Sequence, residues 1–194
     1  MLGQIVLISA GSNQNSVWGD PETTLSAAIR LLAPLALGDV RCSPFYATDA
    51  FPPGAGPDFV NAAAAFETQQ SAADILAVLH RIEAAAGRSR AIRWGQRTLD
   101  LDLVAVGDNV IPDDQTHDHW RNLPLYAQTS IAPDQLILPH PRLQDRSFVL
   151  VPLADIAPDW QHPLLGLTVT QMRDLLAAEA RASVRRIERD VLKG

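Results

Sequence analysis

The order of strand and helix patterns predicts an α+β fold, a ferredoxin-like split βαβ sandwich in which helices pack on an antiparallel sheet. Two strand–helix–strand units follow one another along the chain, as this fold requires. The 194 residues suffice for one domain with a hydrophobic core but not for two ordinary domains. The composition, 47% hydrophobic and 20% charged, is typical of a globular protein. We therefore expect a single domain over residues 1–194.

The first strand–helix–strand unit lies between residues 5 and 48. Residues 5–10 (IVLISA) are a run of apolar, partly branched residues, and Gly11-Ser12-Asn13 indicates a turn after it. Asp20-Pro21-Glu22 then supplies a helix cap, a proline at the first helical position and an acid in the first turn. The helix ends near Pro34, and residues 40–48 predict a second strand. The apolar face of the helix consists of Leu25, Ala28, Ile29 and Leu32.

The second unit begins after a loop at residues 51–57, where three prolines and two glycines exclude a helix or a central strand. Residues 59–68 predict an alanine-rich third strand. Ser71 caps a second amphipathic helix that ends at Gly87, and residues 98–106 predict a fourth strand.

The remainder of the chain is less regular. Residues 107–135 are polar and contain three prolines, which predicts a long loop that is functional or mobile. A helix is expected at residues 147–156. A C-terminal extension follows at residues 168–194, with a helix over residues 168–182 and a last strand or helix after it.

Charge and composition exclude several classes of function. A net charge of −6 argues against a general nucleic-acid binder, which carries a basic face. The N-terminus has no signal-peptide pattern, and no apolar run is long enough to cross a membrane. A single cysteine, Cys42, cannot form an internal disulfide and is expected to be a core residue. These features predict a cytoplasmic protein that binds neither nucleic acid nor membrane.

The clearest local signal is the pair Asp100 and Asp102 in the fourth predicted strand. Side chains alternate along a strand, so these carboxylates point to the same face, roughly 6 to 7 Å apart. Two neighbouring carboxylates repel each other, and a divalent cation beside them removes the repulsion. A solvated polar face would have the same pattern, so the pair alone does not decide between a magnesium site and plain surface.

Arginines gather immediately before this strand, although the protein is negatively charged overall. Guanidinium groups match phosphate oxygens, and carboxylates hold the metal that bridges those oxygens. The combination indicates a site for a metal–polyphosphate, while a basic surface patch paired with acids elsewhere remains the alternative. Trp94 in the same segment either covers a nucleotide or anchors its loop. The arginines are Arg88, Arg90, Arg93 and Arg97, with Arg142 and Arg146 as later additions.

Several other signatures of catalysis are missing from the sequence. It contains no GxxxxGK[ST] phosphate loop, no protein-kinase motif set and no GxSxG nucleophile elbow. His117 and His119 are too few for a zinc site and are interpreted as an accident of the loop.

Residues 93–102 (RWGQRTLDLD) and three further blocks of the sequence resemble the 6-hydroxymethyl-7,8-dihydropterin pyrophosphokinase family of folate biosynthesis. The third block is the most specific, because RWGxRTLDLD is close to a family fingerprint. The blocks span roughly residues 5 to 160. They are residues 8–13 (ISAGSN), 43–48 with 57–61 (SPFYAT, PDFVN), 82–102 (IE through RWGQRTLDLD) and 138–153 (LPHPRL through RSFVLVPL).

The resemblance implies an ATP-dependent transfer of pyrophosphate to the pterin alcohol, with AMP as the second product. It implies that Asp100 and Asp102 bind two Mg²⁺ ions, and that Arg90 and Arg97 hold phosphates during the transfer. Trp94 would lie on a loop that closes over ATP. The further residues implied for ATP are Glu83, His140, Arg142 and Arg146; those implied for the pterin are Thr48, Phe51, Phe59, Asn61 and Phe148.

Three departures from the family pattern leave the metal pair and the arginines intact. Gln96 stands where the family commonly has proline, Ala50-Phe51 replaces a proline–aliphatic pair, and residues 107–135 are longer than in compact members. Two other hypotheses remain: an enzyme with another small alcohol as acceptor, and a module that senses nucleotide or pterin without catalysis. We expect a monomer, with a weak dimer as the alternative.

Overall fold

The computed structural model describes residues 3–50, 56–87, 97–124, 127 and 131–188. Within these residues six strands form one sheet. The strands are β1 (Gln4–Ser12), β2 (Arg41–Cys42), β3 (Tyr46–Thr48), β4 (Phe59–Thr68), β5 (Asp100–Val106) and β6 (Arg185–Arg186).

The sheet has the strand order β5–β1–β4–β3–β6, and β2 pairs with β4 beside β3. Each strand pair is antiparallel. One helix connects β1 to the β2–β3 edge, and another connects β4 to β5. The predicted α+β, ferredoxin-like class is therefore confirmed.

The helices begin at the caps that the sequence indicates. The Asp20 carboxylate accepts the backbone N–H of Thr23, and the Ser71 hydroxyl accepts that of Asp74. None of the helices in the described ranges is both long and apolar enough to span a bilayer. The helices are α1 (Pro21–Arg30), α2 (Ala72–Ala85), α3 (Asp114–Arg121), α4 (Ser147–Ile156), α5 (Val169–Leu175) and α6 (Ala178–Ala182).

The sheet separates two hydrophobic cores, because successive residues of each strand point to opposite faces. On β1, Val6 and Ile8 pack under α1 and α2, whereas Leu7 packs under α4 and α5. The α1–α2 layer comes from the predicted amphipathic helices, whereas the second layer covers only part of the other face. The open part of that face lies toward the start of β5 and the N-terminus of α4.

Three segments differ from their predicted form. The second predicted strand is divided into β2 and β3, because Pro44 between them has no N–H for the ladder. The long polar segment contains α3. The predicted helix over residues 168–182 is interrupted at Leu176, which adopts an extended backbone and packs against the second core. Cys42, expected in the core, is exposed.

Helix α3 is attached to the body of the protein through a buried histidine. His117 Nε2 donates to the carbonyl of Pro139 at 2.9 Å, so its Nδ1 carries no proton in the neutral form. His162 Nδ1 accepts the N–H groups of Leu164 and Leu165, so its Nε2 carries the proton. The two ring centroids are 5.7 Å apart, and the Nδ1 of His117 and the Nε2 of His162 have no hydrogen-bond partner among the described residues. Both rings are buried and neutral, and protonation of either would place a charge in this buried contact.

We expect acid to weaken the fold through this pair. Burial lowers the pKa of His162 to about 4 and also lowers that of His117. Below pH 6.5 the unfolded chain therefore binds protons that the folded chain does not bind. The stabilisation that depends on these neutral histidines is complete above pH 6.5 and declines as the pH falls toward 4. From pH 7 to pH 5, the loss from His162 is on the order of 2 kcal/mol.

Urea unfolding at the two pH values measures this loss. His162→Gln should flatten the dependence of the unfolding free energy on pH, whereas His119→Gln, at an exposed position of α3, should leave it unchanged. Equal slopes in the wild type and both variants would contradict the assignment.

Candidate active site

The open face of the sheet brings together residues from four strands. Residues paired across neighbouring strands form rows on this face. One row contains Asp102, Ser9 and Ala63, and the next contains Asp100, Gly11 and Asn61. In antiparallel ladders paired residues point to the same face, about 4.8 Å apart across neighbouring strands. A third row adds the pair Thr48–Phe59. We call these rows the site face; they contain Asp102, Asp100, Gly11, Asn61, Thr48 and Phe59.

Both aspartates of the site face are paired with arginines. Asp100 pairs with Arg97, three residues before it, and Asp102 accepts from Arg146 Nη1 at 2.9 Å. The carboxylates lie at the edge of solvent, with 21% and 35% of their side chains exposed. Negative and positive groups thus alternate on one accessible surface, as a metal–polyphosphate requires.

The donor set fits Mg²⁺. Asp100 and Asp102 offer carboxylate oxygens, which this cation prefers. The described ranges contain no cluster of three or more His, Cys, Asp or Glu residues suited to holding a metal. Mg²⁺ bound through one or two carboxylates keeps its other positions for water and phosphate oxygens, so two aspartates are enough.

Glu83 supports this strand from the opposite face. Its side chain is buried, 3% exposed, and Oε1 accepts the backbone N–H of Leu101 at 2.8 Å. Leu101 lies between the two aspartates, so this bond holds the segment that carries both carboxylates. The sequence alone indicates an ordinary solvated residue here, and its implied role in ATP binding stays a prediction.

His140 is positioned by an irregularity in β5. The register of β1 with β5 shifts by one residue at Leu7/Ile8 and leaves Val104 without a β1 partner. The Val104 carbonyl then accepts the His140 N–H at 2.8 Å, and His140 Nδ1 accepts the Arg142 N–H at 3.1 Å. Burial, followed by the charge of Arg146, holds the pKa of His140 well below its usual range. The ring is therefore neutral near pH 7 and carries its proton on Nε2.

The amide and aromatic groups occupy the other end of the site face. Asn61 is buried, and its Nδ2 donates to Thr48 Oγ1 at 2.9 Å. Its Oδ1 faces the space above Gly11. Phe59 is half-buried, and Phe148, at the start of α4, is 37% exposed. The Arg146 guanidinium lies 5.7 Å from the centre of the Phe148 ring, so α4 links the aromatic end to the aspartates.

Comparison with known proteins identifies the family. The model of the 7,8-dihydro-6-hydroxymethylpterin-pyrophosphokinase (HPPK) family matches residues 7–158. The chain belongs to the HPPK family. The resemblance found in the sequence is thereby confirmed.

Individual relatives cover most of this chain. The 2-amino-4-hydroxy-6-hydroxymethyldihydropteridine pyrophosphokinase of Synechocystis sp. is 39% identical over 149 residues, 76% of this chain and 66% of that protein. The Pseudomonas aeruginosa protein of the same name is 36% identical over 161 residues, 82% of this chain and 85% of that protein. Wild-type Plasmodium falciparum HPPK-DHPS, at 14% identity and a TM-score of 0.59, shares the fold across 89% of this chain and 44% of its own.

One residue at the centre of this candidate site received no role from the sequence. Asn13 is buried, and its Oδ1 accepts the backbone N–H of Arg97 at 2.8 Å while its Nδ2 donates to the carbonyl of Pro57 at 3.2 Å. Its own N–H donates to the Arg97 carbonyl, and the neighbouring Ser12 hydroxyl donates to Thr98. Asn13 therefore ties the segment before β5 to the segment before β4. The sequence feature that could have indicated this role is the position of Asn13 in a Gly-Ser-Asn turn at the end of a strand.

Several predicted site residues lie outside the described part of the chain. Their roles remain predictions of the sequence and of the family resemblance. They are Phe51, Arg88, Arg90, Arg93 and Trp94. Arg142 is described, and its side chain pairs with Asp145.

Gly11 leaves room between the two ends of the site face. A Cβ at this position would lie 3.2 Å from Asn61 Oδ1 and 4.0 Å from the Phe59 ring. We expect Gly11→Ala to displace the Asn61 side chain and to weaken pterin binding about five-fold, a cost typical of mild overpacking. ATP affinity should change less, because Asp100 is not among the groups that the new methyl group approaches most closely.

Separate titrations with pterin and with ATP test this expectation. Gly38→Ala is the control, since a Cβ there meets nothing within 4 Å. Pterin affinity that is unchanged in Gly11→Ala would show that the space above Gly11 is not used by the ligand.

Proposed function

We propose that this chain transfers pyrophosphate from ATP to 6-hydroxymethyl-7,8-dihydropterin, giving AMP and the pterin pyrophosphate, a step of folate biosynthesis. One observation carries the proposal: a carboxylate pair with its arginines and an amide–aromatic pocket share one sheet face, in adjoining rows. Asp100 and Asn61 lie two strands apart, on the order of 10 Å. That distance suits two substrates bound side by side.

The polyphosphate end of the site face is suited to ATP. Asp100 and Asp102 would hold Mg²⁺, for which two ions are proposed. When bound, the metal neutralises phosphate charge and polarises the oxygens at the reacting phosphorus. Arg97 and Arg146 are already held beside these carboxylates and can turn to phosphate oxygens. The Nε2–H of the neutral His140 is a further donor for the phosphate chain.

The amide–aromatic end is suited to a flat heterocycle. Asn61 is oriented by Thr48, so its Oδ1 is fixed as an acceptor for a ring N–H. Phe59 and Phe148 supply aromatic faces that stack on a planar ring. The arrangement works by positioning, because it would bring the pterin hydroxyl to the phosphorus in line with the leaving AMP. The activation barrier then falls, since the bound substrates have already lost the freedom of motion that the reaction would otherwise remove.

Product analysis tests the proposal directly. The protein is mixed with ATP, Mg²⁺ and 6-hydroxymethyl-7,8-dihydropterin, and nucleotides and pterins are separated. AMP and the pterin pyrophosphate should appear in equal amounts, and omission of the pterin should stop AMP formation. ADP would indicate single phosphoryl transfer, and AMP without need for pterin would indicate another acceptor.

Binding without turnover would favour the sensing hypothesis. We also propose a monomer in the cytoplasm. Sedimentation at increasing protein concentration tests the first part, and a mass that rises to twice the monomer value would overturn it.

A further inference from the structure

The ends of β3 and β4 carry two carboxylates that face each other. Thr48 and Phe59 form the last pair of the ladder, so Asp49 follows one strand where Asp58 precedes the other. Both side chains are mainly exposed. Like charges placed opposite each other on neighbouring strands destabilise the pairing. Without a cation between them, this end of the ladder would tend to open.

Arg185 supplies that cation from the C-terminal segment. Its Nη2 lies 2.8 Å from Asp49 Oδ1 and 3.7 Å from Asp58 Oδ2. The pairing with Asp49 also raises the pKa of the guanidinium. A single arginine thus contacts both ends of the β3–β4 connection.

The backbone of β6 fixes where this arginine stands. Arg185 pairs with Ala47 in the ladder, and the Ile187 N–H donates to the Phe45 carbonyl at 2.8 Å. The strand therefore holds Arg185 alongside β3, one residue from Thr48. The family match ends at residue 158, so this contribution comes from a part of the chain outside it.

The contact is close to the pterin end of the site face. Thr48 orients the Asn61 amide, and Phe59 offers its ring in the same row. Both residues adjoin the two carboxylates in sequence. Any opening of the ladder at Asp49 and Asp58 would move Thr48 and Phe59 first and leave the Asp100–Asp102 end in place.

We propose that Arg185 is a positioning residue for the pterin side of the site: it bridges Asp49 and Asp58 and so holds Thr48 and Phe59 in their binding geometry. The inference rests on the proposed function. Exposed ion pairs change equilibria by about two- to five-fold, and the effect falls at high salt because the charges are screened. The consequence is specific, because pterin affinity depends on Arg185 and ATP affinity does not.

Arg185→Ala tests the inference, with Arg173→Ala as the matched control, because it breaks another partly exposed arginine–aspartate pair, that with Asp174 in α5. Steady-state KM and kcat are measured for both substrates, and pterin binding is titrated in the presence of Mg²⁺ and a non-hydrolysable ATP analogue. In Arg185→Ala we expect the KM and dissociation constant for pterin to rise about two- to five-fold, with kcat and the ATP values unchanged. The difference should vanish near 1 M salt, and Arg185→Lys should restore most of the affinity.

Three results would overturn the inference. The pterin constants of Arg185→Ala equal those of the wild type; pterin and ATP affinity fall together; or Arg173→Ala weakens pterin binding equally, which indicates that any lost surface ion pair has this effect. In each case the wild type still forms AMP and pterin pyrophosphate, so the proposed function stands. A wild type that neither binds pterin nor forms AMP overturns both.

Discussion

Asp102→Asn is expected to reduce AMP formation by at least about a thousand-fold, the value of several kcal/mol of lost stabilisation at the reacting phosphate. The amide keeps the shape of the carboxylate but removes its charge. Asp102 stands on the site face with Arg146 at 2.9 Å, so the variant would lose a proposed metal ligand and leave the guanidinium without its counter-ion. The measurement is the rate of AMP formation at saturating ATP, pterin and Mg²⁺.

The fold should tolerate this change. A partly exposed ion pair contributes up to about 1 kcal/mol to stability, so the unfolding free energy should fall by no more than that. Asp108→Asn, at an exposed aspartate just beyond the same strand, is the control and should keep wild-type rates. A rate for Asp102→Asn within ten-fold of the wild type, at saturating metal, would remove Asp102 from the metal site.

Asn13→Ala should impair both stability and catalysis. The substitution leaves the Arg97 N–H and the Pro57 carbonyl without their side-chain partner. Each unsatisfied buried group costs about 1–3 kcal/mol, and relaxation or water recovers part of it, so we expect a loss of about 2–3 kcal/mol in unfolding free energy. The value of kcat/KM should fall roughly a hundred-fold, because both substrate-side segments shift relative to β1.

Denaturant unfolding and steady-state kinetics measure the two effects. Asn15→Ala, at an exposed asparagine two residues further on, is the matched control and should change neither. A destabilised Asn13→Ala with full activity at low temperature would show that Asn13 serves the fold alone. A stable variant with full activity would show that its hydrogen bonds are dispensable.

Local sequence patterns predicted most of the fold because they describe interactions between near neighbours. Asp20 and Ser71 cap the helices that begin beside them, since a cap needs only the next three residues. The alternation of Leu101 with Asp100 and Asp102 predicted a strand with one buried face, as found. Pro44, in contrast, divided a segment predicted as one strand.

Contacts between distant residues were beyond such patterns. Glu83 looks like a solvated helix residue, but α2 packs on the sheet and turns it to the backbone of Leu101. Arg185 is one of several arginines in a basic C-terminal segment, and its partners, Asp49 and Asp58, lie more than a hundred residues away in the sequence. Nothing in the neighbourhood of these residues indicates their partners.

The sequence by itself determined the composition of the candidate site: two aspartates with a common face, the arginines before them, and the motif blocks of the HPPK family. These follow from residue types and from the period of a strand, which are local properties. Only the tertiary structure decided what surrounds them. The register of β1 with β4 and β5 places Gly11 between Asn61 and Asp100, and Asn13 joins two segments far apart in the chain. Register and long-range hydrogen bonds are set by the packing of the whole sheet, so they appear only when the chain is folded.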